Sequence, residues 1–314
     1  MEHVIEIEGL TKDYEKGFLK KKKIRALEGL DLKVEPGQIF GFLGGNGAGK
    51  TTTIKILMGL IFPTGGSAKI LGADISDVKI HSRIGYCPEN PYFYDYLKAN
   101  ELMDYFGRLF GLETAKRKAV TEELLTKVGL EEKDWNRQLR KFSKGMLQRV
   151  GIAQSLVNDP ELVVLDEPMS GLDPVGRREI RELIAGLRQS GKTVFMSSHI
   201  LSDIEALCDN VAILRGGKLV ATGRLDELLA SEGGERTFEV NANGVKAIDL
   251  IGIPGSIRGA VVTEKPSGAS IQVAGDEHLS TVLAEIKKAG GNVVSVQPVR
   301  QSLEELFVKE TSGS

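Results

Sequence analysis

Cysteine is nearly absent: 314 residues hold two, Cys87 and Cys208. They stand far apart and in no metal-ligand spacing, which rules out a disulfide framework or a cysteine-based zinc site. Long apolar runs are missing as well. No stretch approaches the ~18–20 residues that span a bilayer. The opening Met1 to Leu10 carries three glutamates among alternating apolar residues, where a secretory signal would start basic and continue apolar. There is no basic excess either. The formal net charge is −2, which gives no support to nucleic-acid binding. What remains is ordinary: 41 % hydrophobic and 27 % charged residues, the mixture of a globular chain. The expectation is a cytosolic protein with reduced cysteines, no internal repeat and no membrane span. Any membrane role would come through a partner.

The texture changes along the chain. Val4 to Leu10 and Leu30 to Val34 alternate as half-buried strands do, and Glu35-Pro36-Gly37 reads as a turn. Ile39 to Leu43 is short and wholly apolar, the pattern of a buried central strand. Residues 91–160 are expected to be mostly helical. Asn100 to Phe110 places Leu102, Tyr105, Phe106 and Leu109 at helical spacing, and Thr121 to Val128 continues as a second helix. Then strands and helices alternate: Leu162 to Leu165, Gly176 to Arg188, Thr193 to Ser197. Such alternation predicts a parallel sheet with both faces covered. A polar, glycine-rich linker is expected at 231–235, so the domains are drawn as 1–230 and 236–314. In the tail, strands are expected at Thr237 to Val240, Ile257 to Thr263, Ser270 to Val273 and Val293 to Gln297. A weak helix over Val245 to Ile251 and a firm one over Glu277 to Lys288 complete the set. The order β-α-β-β-α-β is that of a ferredoxin-like unit.

Gly44, Gly45, Asn46, Gly47, Ala48, Gly49, Lys50 and Thr51 match the phosphate-loop pattern G-x-x-x-x-G-K-[ST]. The match lies between an apolar strand and a helical stretch, as the motif requires. Glycines let consecutive backbone N–H groups turn inward as an anion nest, and the following helix aims its positive end at the same point. Lys50 adds a mobile charge for β- and γ-phosphates. Thr51 offers a hydroxyl to Mg²⁺, and Thr52 can donate to an outer phosphate oxygen. Leu162 to Leu165 runs into Asp166-Glu167-Pro168. Strand alternation sends the two carboxylates in different directions, so they suit different tasks. Asp166 is placed to hold Mg²⁺ through its water shell, and Glu167 to polarise a water.

With these residues in hand, the chain resembles the ATP-binding-cassette ATPases. The resemblance rests on the phosphate loop, on Leu162 to Pro168 and on Ser170-Gly171-Leu172-Asp173-Pro174. It extends to Phe142-Ser143-Lys144-Gly145-Met146-Leu147-Gln148-Arg149, to Ser197-Ser198-His199 and to Tyr14. It implies an α/β fold: a phosphate-loop cassette of parallel-sheet core, antiparallel β subdomain and helical subdomain (about 91–160), with a small α+β domain behind it. It also implies a function: ATP hydrolysis with Mg²⁺, driving a membrane exporter from the cytoplasmic face of the cell membrane. The path would lie in a separate transmembrane permease. A second cassette subunit would join head to tail, its Ser143 and Gly145 closing over the ATP of the first. Asp173 would serve that interface, His199 the γ-phosphate, Glu167 the attacking water and Tyr14 the adenine.

Three departures stand out. Phe142, Lys144 and Met146 differ from the usual Leu-Ser-Gly-Gly-Gln signature, while Ser143 and Gly145 remain. Gly45 stands where proline is common. Glu89, in Tyr86-Cys87-Pro88-Glu89, replaces a glutamine that touches Mg²⁺ or its water. The signature variant, the Glu89 form and the tail near Ser302 to Phe307 resemble the single-cassette ATPases of bacterial type-2 exporters. Two weaker features have double readings. Lys20 to Lys23 with Arg25 are a solvated hairpin or a contact for lipid headgroups. Tyr92, Phe93, Tyr94 and Tyr96 are core or a socket for the permease. The alternatives are a soluble cassette ATPase, though this chain has one cassette and no long coiled coil, and a nucleotide-sensing scaffold, though Lys50, Glu167 and His199 are in place. The guanine motif of GTPases does not occur.

Overall fold

The computed structural model describes residues 2–16, 22–229, 237–250, 252–253, 257, 259–299 and 303. Chain contacts divide it into two units, Met1–Leu225 and Asp226–Ser314. The stretch 231–235 expected as a linker lies outside the described residues, as does most of 302–307.

The first unit opens with two long strands, β1 (Ile5–Lys16) and β2 (Lys22–Val34), paired antiparallel. Lys22 and Lys23 thus begin a hairpin strand, and Arg25 grips Asp13 through two bonds of 2.9 and 3.2 Å. The strand β3 (Ile39–Gly44) turns away from this hairpin. With β4 (Gly65–Ile70) and β5 (Ala73–Asp74), the hairpin forms a four-stranded sheet of order β2-β1-β4-β5.

The second sheet is built from β3, β6 (Ile84–Cys87), β7 (Leu162–Leu165), β8 (Thr193–Ser198), β9 (Asn210–Arg215) and β10 (Lys218–Arg224). Its order is β10-β9-β3-β8-β7-β6, parallel except for the β9–β10 hairpin. Every residue of β3, β7 and β8 is buried, which explains why those runs read as continuously apolar rather than alternating. Phe195 on β8 stacks on Phe40 and tilts against Phe42 of β3, with centroids 5.7 and 5.2 Å apart.

Helices cover this sheet. The helix α1 (Lys50–Leu57) leaves β3. Between β6 and β7 come α2 (Ala99–Leu109), α3 (Thr114–Lys127), α4 (Glu132–Trp135) and α5 (Lys144–Ser155), the helical region expected over 91–160. The helices α6 (Pro174–Gln189) and α7 (Leu201–Leu207) follow β7 and β8. In α2 the core-facing set differs from the expected one. Ala99, Leu102, Met103 and Gly107 are buried, while Tyr105 and Leu109 face outward, 46 % and 62 % exposed. The helix is apolar on more than one side, so spacing alone did not select its face. Gly107 decides it, because the stem of Arg117 on α3 lies where a Cβ would stand.

The second unit carries β11 (Thr237–Asn243), β12 (Val261–Lys265), β13 (Gly268–Ala274) and β14 (Asn292–Val299). A helix, Asp276–Lys288, joins the last two. The sheet is antiparallel in the order β12-β13-β11-β14, the strand order of a ferredoxin-like fold. Val282 and Ile286 of the helix are fully buried, and Leu279 and Leu283 pack beside them, as the i, i+3, i+4, i+7 spacing required. Two expectations shift. Within the expected weak helix, Ala247–Leu250 forms a 3₁₀ turn, and Ile251 lies outside the described residues. The strand expected from Ile257 begins only at Val261, because Ile257 and Ala260 are tied into turns by bonds of 2.8 and 3.2 Å to Ile253 and Ile257 carbonyls.

Close packing yields a paired prediction. A Cβ on Gly85 of β6 would lie 1.9 Å from the Ser155 carbonyl oxygen, at the end of α5. A Cβ on Gly45 would meet nothing within 4 Å. In urea melts, Gly85→Ala is expected to lose at least ~1–3 kcal/mol, and Gly45→Ala to stay within about 0.5 kcal/mol of the parent.

Candidate functional site

The parallel strands β3, β7 and β8 end side by side, and the residues following them form one cleft. Open α/β sheets bind ligands at these carboxyl ends. Gly44 closes β3, and a Cβ there would lie 2.7 Å from the Leu214 carbonyl oxygen, so only glycine fits. Gly47 and Gly49 adopt φ of 78° and 109°, the left-handed region open to glycine. The chain thereby folds back over itself and enters α1 at Lys50. No acidic residue stands in the first turn of α1, so the helix presents an uncompensated positive end.

Lys50 is 6 % exposed. Its ammonium donates to the Gly44 carbonyl at 2.6 Å and pairs with Glu167 Oε1 at 3.1 Å. The other oxygen of Glu167, Oε2, lies 2.8 Å from His199 Nδ1. Glu167 is thus held at both ends, by the residue that follows the phosphate loop and by the residue that follows β8. Its backbone is in the left-handed region, with φ 49°. For a side chain of this size that costs ~1–3 kcal/mol, offset by the contacts that fix it.

Asp166 points elsewhere. It is 1 % exposed, accepts from Ser197 Oγ at 2.6 Å and lies 3.4 Å from Thr51 Oγ1. Burial pushes its carboxyl above the usual carboxylate range, and the hydroxyls of Ser197 and Thr51 pull it partly back. Ser197 also accepts the Glu167 N–H at 2.8 Å. One hydroxyl therefore orients both carboxylates. Sequence reading gave Ser197 no role, although the Ser-Ser-His run was visible. Its signal is the register: Leu165 sits opposite Met196, so Asp166 and Ser197 come next in line.

The cleft measures about 590 Å³ and is lined by Ala26, residues 45–52, Glu89, Glu167, Ser170 and His199. Gly45, Asn46, Gly47, Ala48, Gly49, Lys50, Thr51, Thr52, Glu89, Glu167 and His199 are therefore brought together, with Asp166 buried behind them. Other expected residues are not part of this lining. Tyr14 lies on β1, 39 % exposed, with the Lys12 ammonium 5.2 Å from its ring centre, and Ala26 takes the lining place on this side. Ser143 caps α5, accepting from Met146 N–H at 3.2 Å. Gly145 is the second residue of that helix, beside the Leu172 side chain. Asp173 caps α6, accepting from Gly176 N–H at 2.7 Å. Both cysteines are buried. Burial raises the thiol of Cys87 to about 12 and pushes that of Cys208 up as well, so both are inert under ordinary conditions.

No group of three His, Cys, Asp or Glu side chains that could cage a metal occurs among the described residues. Mg²⁺ needs no such cage. It takes one or two protein oxygens and completes its shell with water and substrate phosphates, and the Thr51–Asp166 pair beside the phosphate loop fits that demand. Among the described residues no helix is long and apolar enough to cross a membrane.

Comparison with known proteins agrees with this geometry. Residues 27–170 match the ABC transporter family, and residues 223–311 match the C-terminal domain of DrrA1-3-like ATP-binding proteins. An ABC transporter ATP-binding protein of Nostoc sp. is 44 % identical over 98 % of this chain and 89 % of its own length. The linearmycin resistance ATP-binding protein LnrL of Bacillus subtilis is 31 % identical over 91 % of this chain and 93 % of its own. The bacitracin transport ATP-binding protein BcrA of Bacillus licheniformis is 44 % identical over 65 % of this chain and 66 % of its own. Among solved structures, the dimeric post-hydrolysis state of the cassette MJ0796 bound to ADP and Pi superposes with a TM-score of 0.65 at 25 % identity, over 70 % of this chain and 98 % of that one. The chain belongs to the ATP-binding proteins of ABC transporters, the ATPase subunits of that family.

Proposed function

We propose that the chain powers a membrane exporter, working at the cytoplasmic face as a head-to-tail dimer joined to a separate transmembrane permease. The observation that carries this reading is Glu167, pinned between Lys50 and His199 at the rim of the phosphate loop.

The glycine loop and the start of α1 take the β- and γ-phosphates by backbone N–H groups. Lys50 exchanges Glu167 and the Gly44 carbonyl for phosphate oxygens. Glu167, released from that pair, faces the γ-phosphate and accepts a proton from the attacking water as general base. His199 turns from Glu167 to the γ-phosphate and holds it. Thr51 and Asp166, with Glu89 opposite, would hold Mg²⁺, which when bound supplies positive charge to the β- and γ-oxygens. Ser143 and Gly145 of a second copy would close the cleft. Their absence from this chain's own cleft lining and the dimeric ADP-and-Pi form of a similar cassette support that reading.

The permease docks, on this reading, in an apolar groove of about 460 Å³ lined by Tyr92, Phe93, Phe106 and Phe110 among others. Tyr92 is fully exposed, and Tyr94 and Tyr96 stand out beside it, 63 % and 59 % exposed. Aromatics in this state are the composition of an interface, not of a core. Export as the direction of transport is carried by the likeness to proteins of bacitracin transport and linearmycin resistance. The second unit serves dimer contact or regulation.

Purified protein is expected to hydrolyse ATP with Mg²⁺. Glu167→Gln should lose ~10²–10⁴-fold in rate yet still dimerise with ATP on size exclusion, whereas Lys50→Ala should neither hydrolyse nor dimerise. Equal rates for Glu167→Gln and wild type would sink the general-base assignment. Glu89 places an extra carboxylate in a cleft built for phosphate, so Glu89→Gln should raise basal turnover. An unchanged rate and unchanged coupling to the permease would count against that role. A third expectation follows from the raised carboxyl of Asp166. A folded-state value above the unfolded one means that stability falls as pH rises from about 4 through the raised value, where the burial penalty sets in. Asp166→Asn keeps an oxygen for Ser197 and removes that penalty. In EDTA it should melt higher than wild type at pH 7, with the gain vanishing below about pH 4, while Mg²⁺-dependent hydrolysis is lost.

A further inference from the structure

A buried cluster of charge lies beside the cleft and takes no part in the steps above. Asp203 stands on α7, one helical turn beyond His199, and is only 2 % exposed. Its Oδ1 lies 4.0 Å from Nη1 of Arg181. Its Oδ2 is buried with no hydrogen-bond partner among the described residues, and so is Nε of Arg177. Arg177 and Arg181 are one turn apart on the same face of α6, and α6 packs against α7. Both arginines lie in the first half of α6, whose start is capped by Asp173.

A neighbouring side of α7 is fixed differently. A Cβ on Gly41 of β3 would come within 2.8 Å of Cys208 Sγ and 2.9 Å of Ile204 Cδ1. The missing side chain lets α7 rest directly on the sheet. The helix bearing Asp203 therefore has one side seated on β3 and one side held to α6 by charge. Burial pushes the Asp203 carboxyl up, Arg177 and Arg181 pull it back, and the charges of Glu167 and His199 also reach it. A buried carboxylate with incomplete partners weakens a fold, and well-packed apolar residues in its place are often neutral or stabilising. Its presence calls for a role other than stability.

We propose that Asp203 is a positioning residue for ATP hydrolysis: set against Arg177 and Arg181, it ties the segment carrying His199 to the helix that begins at Asp173. His199 then keeps its place against Glu167 and an arriving γ-phosphate whenever α6 moves. The partnerless Oδ2 of Asp203 and Nε of Arg177 are an acceptor and a donor that one charge-assisted hydrogen bond would satisfy. The inference rests on the ATPase reading of the Lys50–Glu167–His199 cleft.

The test is Asp203→Asn in the full chain, which keeps shape and removes charge, alongside Arg177→Gln and the double variant. Each is measured for melting temperature, for KM and kcat with MgATP, and for ATP-dependent dimerisation. Asp203→Asn is expected to melt at the wild-type temperature or above, to keep KM within about twofold and to lose about tenfold in kcat. The double variant should lose no more than the worse single, since both cut one link. Unchanged kcat in Asp203→Asn overturns the proposal. So does a fall in kcat matched by a fall in melting temperature and a rise in KM, which marks a merely structural residue. Should Asp203→Asn not fold, Arg177→Gln decides on the same criteria. Wild type without ATPase activity would sink the cleft reading itself; active wild type beside an unaffected Asp203→Asn would sink this inference alone.

Discussion

The ion pair between Lys50 and Glu167 is the interaction on which the rest of the cleft depends. Both side chains are nearly buried, 6 % and 9 % exposed, and 3.1 Å apart. Taking one partner from such a pair leaves a stranded charge and costs ~3–5 kcal/mol. The pair spans two elements that are distant in the chain, α1 after β3 and the turn after β7. It is possible only because β8 lies between these strands in register with both. Ser197 at the end of β8 then serves as the common joint. Its hydroxyl donates to Asp166 and accepts from the Glu167 backbone, so the two adjacent carboxylates are driven apart, one toward Thr51 and one toward Lys50 and His199. The left-handed backbone of Glu167 is the local cost of that divergence.

Parallel pairing explains why so little of the cleft needs dedicated scaffolding. The strands β3, β7 and β8 are buried along their whole length, so register is specified by the core and their ends inherit it. Glycine enforces the remaining close approaches. Gly44 lies against the Leu214 carbonyl, and Gly85 sets β6 against the end of α5. Loops on such a frame can carry phosphate-binding and hydrolytic groups without being rigid themselves.

Much of this was legible in the sequence. The phosphate loop, the Asp166-Glu167 strand end and the strand carrying Ser197 were each marked by a local pattern, and each lies where that pattern placed it. The tail's helix, with Val282 and Ile286 at its core, and the antiparallel strand order were equally readable from period and sequence order. Features set by contacts between distant elements were not readable. The buried face of α2 is chosen by the Arg117 stem against Gly107, which no spacing within α2 reveals. The double duty of Ser197 depends on the β7–β8 register. Tyr14, which reads as a platform for a base, lies on β1 with Lys12 over its ring, and Ala26 lines the cleft on this side.

The placement of the signature residues bears on why a single copy is an incomplete catalyst in the proposed mechanism. Ser143 spends its hydroxyl on capping α5, where it accepts from Met146, and its position at a helix start makes a second anion-binding end within the same unit. Two such ends on one chain, at α1 and α5, repel any arrangement that would fold them onto one another without an anion between. In the proposed dimer, an ATP held between two copies would supply that anion, its phosphates meeting the α1 end of one subunit and the α5 end of the other. Electrostatics then favours closure when triphosphate is present and opening once the γ-phosphate has left. In the proposed dimer, loss of the γ-phosphate would remove part of the charge that holds the two helix ends together.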